Sequence, residues 1–88
     1  MIDNYVIIKE SCTVENSVVM DRSYIGRGAT VRRSIIGRHV YVGDGAVVED
    51  SVIADNATIG EGAILKGVRV WPHKTVERGV KLEGFSVV

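Results

Sequence analysis

Large aliphatic residues recur along the chain at intervals of six, six and five residues, so the pattern repeats every seventeen residues. Three columns of this repeat are aliphatic in all five successive turns. They are Ile2, Val19, Ile36, Ile53 and Val70; Ile8, Ile25, Val42, Ile59 and Val76; and Val14, Val31, Val48, Leu65 and Leu82. A period of six in a sequence rich in Val, Ile, Thr and Gly favours strands over helices. The pattern predicts an all-β coil with three short strands per turn.

A second, usually small residue follows many of the large ones after four positions. These residues are Cys12, Ala29, Ala46, Ala63 and Val80 on one side and Val6, Ser23, Val40 and Ala57 on another. One large and one small inward residue per side would fill the narrow interior of a triangular prism. We therefore predict that residues 1–88 form one domain, a single-stranded parallel β-helix of about five seventeen-residue coils.

Glycines recur at two positions of the repeating units. Gly28, Gly45, Gly62 and Gly79 hold the fourth place of the middle unit, which Asn56 holds in another unit, and Gly26, Gly37, Gly43 and Gly60 each follow a large aliphatic residue. The first position suits tight corners with positive φ. The second directly follows a large aliphatic residue, where we expect the backbones of neighbouring coils to approach closely.

The two ends of such a coil expose unpaired strand edges that need cover. The last turn departs from the repeat at Trp71, at Pro72, at Lys74 in an inward column, and at Phe85 in place of Ser. We predict that residues 70–88 form the C-terminal cap. The repeat begins at Ile2, so we expect another domain to cover the N-terminal end and the chain to be part of a larger protein.

Charge and cysteine usage exclude several partners. Eleven basic residues balance eleven acidic ones and are interspersed with them, so we expect neither nucleic acid nor an anionic membrane to bind. No apolar run reaches the ~7–15 residues of a signal-peptide core, so we expect a cytoplasmic protein. Cys12 is the only cysteine, falls in a small inward column and is expected to be a buried small hydrophobic residue rather than a reactive thiol.

The hexapeptide repeat resembles the β-helices of acyltransferases, γ-class carbonic anhydrases and the C-terminal domains of sugar-phosphate nucleotidyltransferases. The resemblance covers the whole chain and implies a left-handed winding, against the usual rule for parallel crossovers. The run Trp71-Pro72-His73-Lys74 is similar to the end of the β-helix in mannose-1-phosphate guanylyltransferases. This similarity implies a non-catalytic assembly or regulatory domain, packed on an N-terminal domain that would make the nucleotide sugar, GDP-mannose in the case of that family.

Candidate chemistry within the chain is sparse. His39 and His73 share a column two coils apart, which separates their backbones by roughly 9–10 Å, too far for one metal ion to bridge. We assign no metal, cofactor or catalytic residue, and retain His39 as the one candidate general base. The alternative function is a free-standing hexapeptide-repeat acyltransferase or a protein like the γ-carbonic anhydrases. An uninterrupted register and two histidines argue against both.

Outward positions indicate how the domain could associate. Arg32, Glu49 and Lys66 follow one another in successive coils, which predicts a surface ladder of opposite charges. Trp71 is the one aromatic side chain that the pattern leaves exposed, either as part of the cap or as an interface anchor. We expect a homo-oligomer, and the family resemblance favours a trimer around a threefold axis.

Overall fold

The computed structural model describes residues 2, 4–84 and 86–87, so Phe85 lies outside the described residues. The described part consists of fifteen strands of two or three residues, joined by tight turns. None of the described residues belongs to a helix that could cross a membrane.

The strands form three parallel five-stranded sheets, one on each side of a triangular prism. Face 1 contains β1 (Ile7–Ile8), β4 (Tyr24–Ile25), β7 (Tyr41–Val42), β10 (Thr58–Ile59) and β13 (Thr75–Val76). Face 2 contains β2 (Thr13–Glu15), β5 (Thr30–Arg32), β8 (Val47–Glu49), β11 (Ile64–Lys66) and β14 (Lys81–Glu83). Face 3 contains β3 (Val18–Val19), β6 (Ile35–Ile36), β9 (Val52–Ile53), β12 (Arg69–Val70) and β15 (Ser86–Val87).

Each strand pairs with the strand seventeen residues further along the chain. Val31 aligns with Val48, and Val48 aligns with Leu65, as the columns of the sequence predict. The chain is thus a left-handed parallel β-helix of about five coils, and the predicted fold class and register are confirmed.

The three aliphatic columns point into one interior. Val31, Val48 and Leu65 are completely inaccessible to solvent, and the inner members of the other two columns are at most 3% exposed. The first coil is less well covered, since Ile2 is 50% and Ile8 is 37% exposed. Lys74 falls in the small inward column, yet it is exposed. The prediction of an inward position is wrong there, because a charged ammonium group is stable in water and costly in a dry interior.

The corners of the prism require residues with a left-handed backbone conformation, and only some of these residues are glycines. Gly28, Gly45, Gly62 and Gly79 have positive φ as expected, and so do nine non-glycine residues, His39 and Asn56 among them. The glycines that follow a large aliphatic residue also behave as expected. A Cβ added at Gly26, Gly37, Gly43 or Gly60 would collide with atoms of the next coil.

A column of buried serines, which the sequence analysis did not assign, stabilises the corner between faces 2 and 3. Ser17, Ser34 and Ser51 are 7%, 3% and 2% exposed. The Ser34 hydroxyl donates to the Arg32 carbonyl oxygen at 2.7 Å and accepts a hydrogen bond from the Ser51 backbone N–H at 3.1 Å. The column ends at Val68, whose N–H donates to the Ser51 hydroxyl. Each serine thus satisfies a buried backbone group of the following coil.

Candidate functional site

Face 3 presents an apolar stripe to solvent, formed by Val18, Ile35 and Val52. Ile35 and Val52 are neighbours in the sheet and are each 42% exposed, and Val18 is half-buried. Trp71, at the end of the same face, is 56% exposed, which confirms the exposure expected for it. Contiguous exposed apolar residues of this kind are typical of protein contact surfaces.

Charged residues border the apolar stripe on both edges. On the edge that precedes the strands, Arg33 Nε and Nη2 lie 2.7 and 3.2 Å from the two carboxylate oxygens of Asp50. The edge that follows the strands carries Arg38 and Asp55, and Asp55 Oδ1 accepts a hydrogen bond from the Arg38 backbone N–H at 2.9 Å. Each edge therefore has an arginine in the coil of β6 and an aspartate in the coil of β9.

The Arg33–Asp50 pair shifts the titration of both groups. The hydrogen bond from Arg33 lowers the pKa of the Asp50 carboxyl group. The same hydrogen bond raises the pKa of the Arg33 guanidinium group. Both side chains are more than half exposed, so the pair contributes little to stability and keeps its charges available at the surface.

Face 1 carries a shallow groove of about 430 Å³ beside an aromatic stack. The rings of Tyr24 and Tyr41 are parallel within 4° with centroids 4.9 Å apart, and Lys9 Nζ lies 5.8 Å from the Tyr24 centroid. Thr58, Thr75, Glu61, Glu77 and Arg78 also line the groove. Burial, and then the neighbouring Tyr24, raises the pKa of Tyr41, so its hydroxyl group is neutral near pH 7.

Face 2 carries the predicted charge ladder. Glu49 lies between Arg32, at 3.4 Å, and Lys66, at 4.0 Å, and Arg32 also reaches Glu15 at 3.6 Å. The ladder that the sequence predicts is confirmed. These partly exposed pairs each contribute at most about 1 kcal/mol, so face 2 is a polar, solvated surface.

The described residues at the N-terminal end of the prism expose apolar side chains. Ile2, Tyr5 and Ile7 are between 50% and 79% exposed. Strands β1 and β2 are the edge strands of faces 1 and 2 at this end, and the edge of β3 is partly covered by a parallel bridge from Ile2 to Val19. Their edge N–H and C=O groups, together with these side chains, make a surface suited to another protein layer.

Comparison with known protein families assigns the chain to one of them. The family model described as "GMPPB C-terminal domain" matches residues 1–85. The chain belongs to the GMPPB C-terminal domain family. Comparison with curated protein sequences gives no match.

Solved structures similar to this GMPPB C-terminal domain are acetyltransferases. Perosamine N-acetyltransferase from Caulobacter crescentus has a TM-score of 0.80 and 20% identity over 100% of this chain and 49% of its own. Serine acetyltransferase from Neisseria gonorrhoeae has a TM-score of 0.68 and 18% identity over 91% of this chain and 35% of its own. The GMPPB C-terminal domain thus spans half or less of these chains, and at such identities the likeness shows the shared β-helix alone.

The histidines of the GMPPB C-terminal domain lie on a single corner. His39, Asn56 and His73 are exposed, with φ of 54°, 63° and 62°, as their shared column predicts. The His39 backbone N–H donates to the Asp21 carbonyl oxygen at 3.0 Å, which fixes the main chain there. The role of His39 as a general base stays a prediction. The described residues include no group of three His, Cys, Asp or Glu side chains placed to hold a metal ion.

Cys12 lies in the interior column of the first full coil. It is half-buried, packs against the core and places its sulfur 2.8 Å from the Gly26 carbonyl oxygen. The position agrees with the packing role expected for Cys12.

Proposed function

We propose that this chain is the assembly domain of a sugar-1-phosphate nucleotidyltransferase, most similar to mannose-1-phosphate guanylyltransferase. The observation that carries the proposal is the match of the GMPPB C-terminal domain family to residues 1–85. The run from Trp71 to Lys74, which lies within the matched residues, agrees with it. Nucleotide and sugar phosphate would react in an N-terminal domain of the parent enzyme, and this domain would hold the enzyme together.

The open N-terminal end supports packing on that catalytic domain. The first coil exposes four large apolar side chains, Ile2, Tyr5, Ile7 and Ile8. A domain preceding residue 1 would reach this surface first, and burying it would remove apolar area from water at about 25 cal/mol per Å².

The apolar stripe of face 3 supports self-association. Ile35 and Val52 lie in the middle of the prism, away from the end that the catalytic domain would cover. A homo-oligomer could therefore use face 3 while the catalytic domains occupy the N-terminal ends. Closed symmetric assemblies of this kind are the usual form of soluble oligomers.

The activity of the parent enzyme tests the proposal. We expect the full-length protein to form GDP-mannose and pyrophosphate from GTP and mannose 1-phosphate, and residues 1–88 alone to form none. Removing this domain is expected to leave measurable turnover but to disturb assembly.

An acetyltransferase assay tests the alternative function. Transfer of an acetyl group from acetyl-coenzyme A to an amino or hydroxyl acceptor by residues 1–88, abolished by His39→Ala, would favour a free-standing acyltransferase. His73→Ala is the matched control, because it changes the same corner two coils away. Such a result would contradict the assembly role.

A further inference from the structure

We propose that face 3 joins two copies of this chain around a twofold axis that lies in the interface, parallel to the strands and between β6 and β9. The two prisms would then run antiparallel. This inference rests on the proposed assembly function and names the surface and the symmetry of the assembly.

The two central residues of the apolar stripe are self-complementary under this rotation. The axis exchanges β6 with β9, so Ile35 packs on Val52 of the partner subunit and Val52 packs on Ile35 of the partner subunit. Both side chains are 42% exposed in the single chain. Their burial removes two pairs of branched aliphatic groups from water at the centre of the contact.

The charged edges of the stripe also become complementary. This rotation reverses the order of the coils but keeps each edge of the face on the same side. Arg33 therefore meets Asp50 of the partner subunit, and Arg38 meets Asp55 of the partner subunit. The internal Arg33–Asp50 pair, at 2.7 Å, would meet an identical pair in the opposite direction. Each edge then carries alternating charges, which favours this pairing and its register.

An axis parallel to the prism aligns each coil with the same coil of the other copy. The charges that meet at the edges of face 3 are then alike instead of opposite. A twofold axis parallel to the prism, or a threefold axis in that direction, brings one edge of face 3 near the other edge of a neighbouring face 3. Arg33 would then approach Arg38 of the partner subunit, and Asp50 would approach Asp55 of the partner subunit. Like charges at these positions are unfavourable, so for this face we replace the trimer expected from the resemblance with an antiparallel dimer.

At the two ends of face 3, the rotation places the half-buried Val18 opposite the exposed Arg69 of the partner subunit, in the outward column that also holds Ile35 and Val52. Met20 follows β3 and Trp71 follows β12, and the rotation exchanges these strands. The half-buried Met20 would contact the exposed Trp71 of the partner subunit, a favourable pairing of thioether and aromatic ring.

The dimensions of the prism limit the size of the contact. A body of 28 × 22 × 20 Å has no face that buries more than about 600 Å² per copy, or about 1,200 Å² in total, which is the low end for specific interfaces. We expect the isolated chain to dimerise with a Kd in the micromolar range, and the dimer to weaken as salt screens its edges.

Sedimentation equilibrium of residues 1–88 between micromolar and millimolar concentration tests the proposal. We expect a monomer–dimer equilibrium whose Kd rises about tenfold in Arg38→Glu, because two symmetric charge pairs become repulsive. Adding Asp55→Arg should return the Kd to within about threefold of wild type. Since Asp55 also accepts the Arg38 N–H, melting is measured for every variant. The double variant Arg33→Glu with Asp50→Arg applies the same charge reversal to the edge of face 3 that precedes the strands.

Ile35→Glu and Val47→Glu form the matched pair for the apolar centre. Both residues occupy outward strand positions, Ile35 on face 3 and Val47 on face 2. We expect only Ile35→Glu to give a monomer, with melting close to that of Val47→Glu. Tighter association of Arg38→Glu, a trimer, or dimers insensitive to Ile35→Glu would overturn the antiparallel dimer. These results would leave the assembly role to be decided by the full-length enzyme.

Discussion

A Cβ atom on Gly43 would lie 2.6 Å from the backbone nitrogen of Glu61 in the next coil. The two other nearest atoms, the Gly60 carbonyl carbon and the Glu61 Cα, are also backbone atoms at 2.8 and 2.9 Å. The coil spacing is fixed by the parallel ladder at about 4.8 Å. Gly43 is therefore required by the spacing of the coils.

Gly43→Ala should destabilise the domain by about 1–3 kcal/mol, because the added methyl group must push two coils apart. Urea unfolding measures the loss. Ala54→Gly is the control, since Ala54 also directly follows an inward aliphatic residue, on face 3, and there a Cβ is accommodated; it should cost at most about 1 kcal/mol. Equal stability of wild type and Gly43→Ala would show that the coils do not approach as described.

Ser34→Ala should cost about 1–3 kcal/mol, because it leaves the Ser51 N–H without its acceptor in a buried site. Thr30→Ala is the comparison: it lies on the outward side of the same coil and is half-buried. Thermal unfolding followed by circular dichroism should separate the two variants. If both melted alike, the buried serine column would have no stabilising role.

Ile53→Asp should prevent folding at 25 °C, because it places an unpaired carboxylate in an interior position that is 1% exposed. Lys66→Ala should be nearly silent, because Lys66 is exposed and its pair with Glu49 spans 4.0 Å. Circular dichroism and denaturant unfolding make the comparison. A folded Ile53→Asp variant would place that column outside the core.

The Asp50 carboxyl group should titrate below the usual range for aspartate, since Arg33 lowers its pKa. A lowered pKa in the folded state means that the pair contributes above the pKa of the unfolded chain, and its contribution is lost as pH falls through the folded value. The side chains are exposed, so the effect on stability is small. Carboxyl chemical shifts followed against pH should show the Asp50 midpoint rising in Arg33→Ala. An unchanged Asp50 midpoint would contradict the pairing.

The sequence predicts the core of this fold because stacking repeats one chemical requirement in every coil. Val31, Val48 and Leu65 occupy one dry column, so each must be aliphatic. The burial of Ser34 could not be predicted in this way, because a column of serines in the sequence looks like a column of solvent-exposed residues. Its burial depends on hydrogen bonds to the neighbouring coil, which only the structure locates. Lys74 was predicted to be inward and is exposed. Its column is interior in the middle of the prism but exposed in the last coil.

The candidate interaction surfaces were only partly predictable. Exposure of Trp71 follows from its departure from the repeat. The apolar stripe was missed because Ile35 and Val52 lie among aliphatic residues that point inward, and only the pleat of β6 and β9 separates the two sets. The opposite charges of Arg38 and Asp55 indicate a contact surface only when the structure places both residues on one edge of face 3.

The molecular mass of the full-length enzyme in solution, measured by light scattering with and without this domain, tests the assembly role most directly. We predict a defined oligomer for the intact enzyme and a loss of at least one level of association when residues 1–88 are removed, with Ile35→Glu giving the same loss. An unchanged mass after removal of the domain would contradict the proposal.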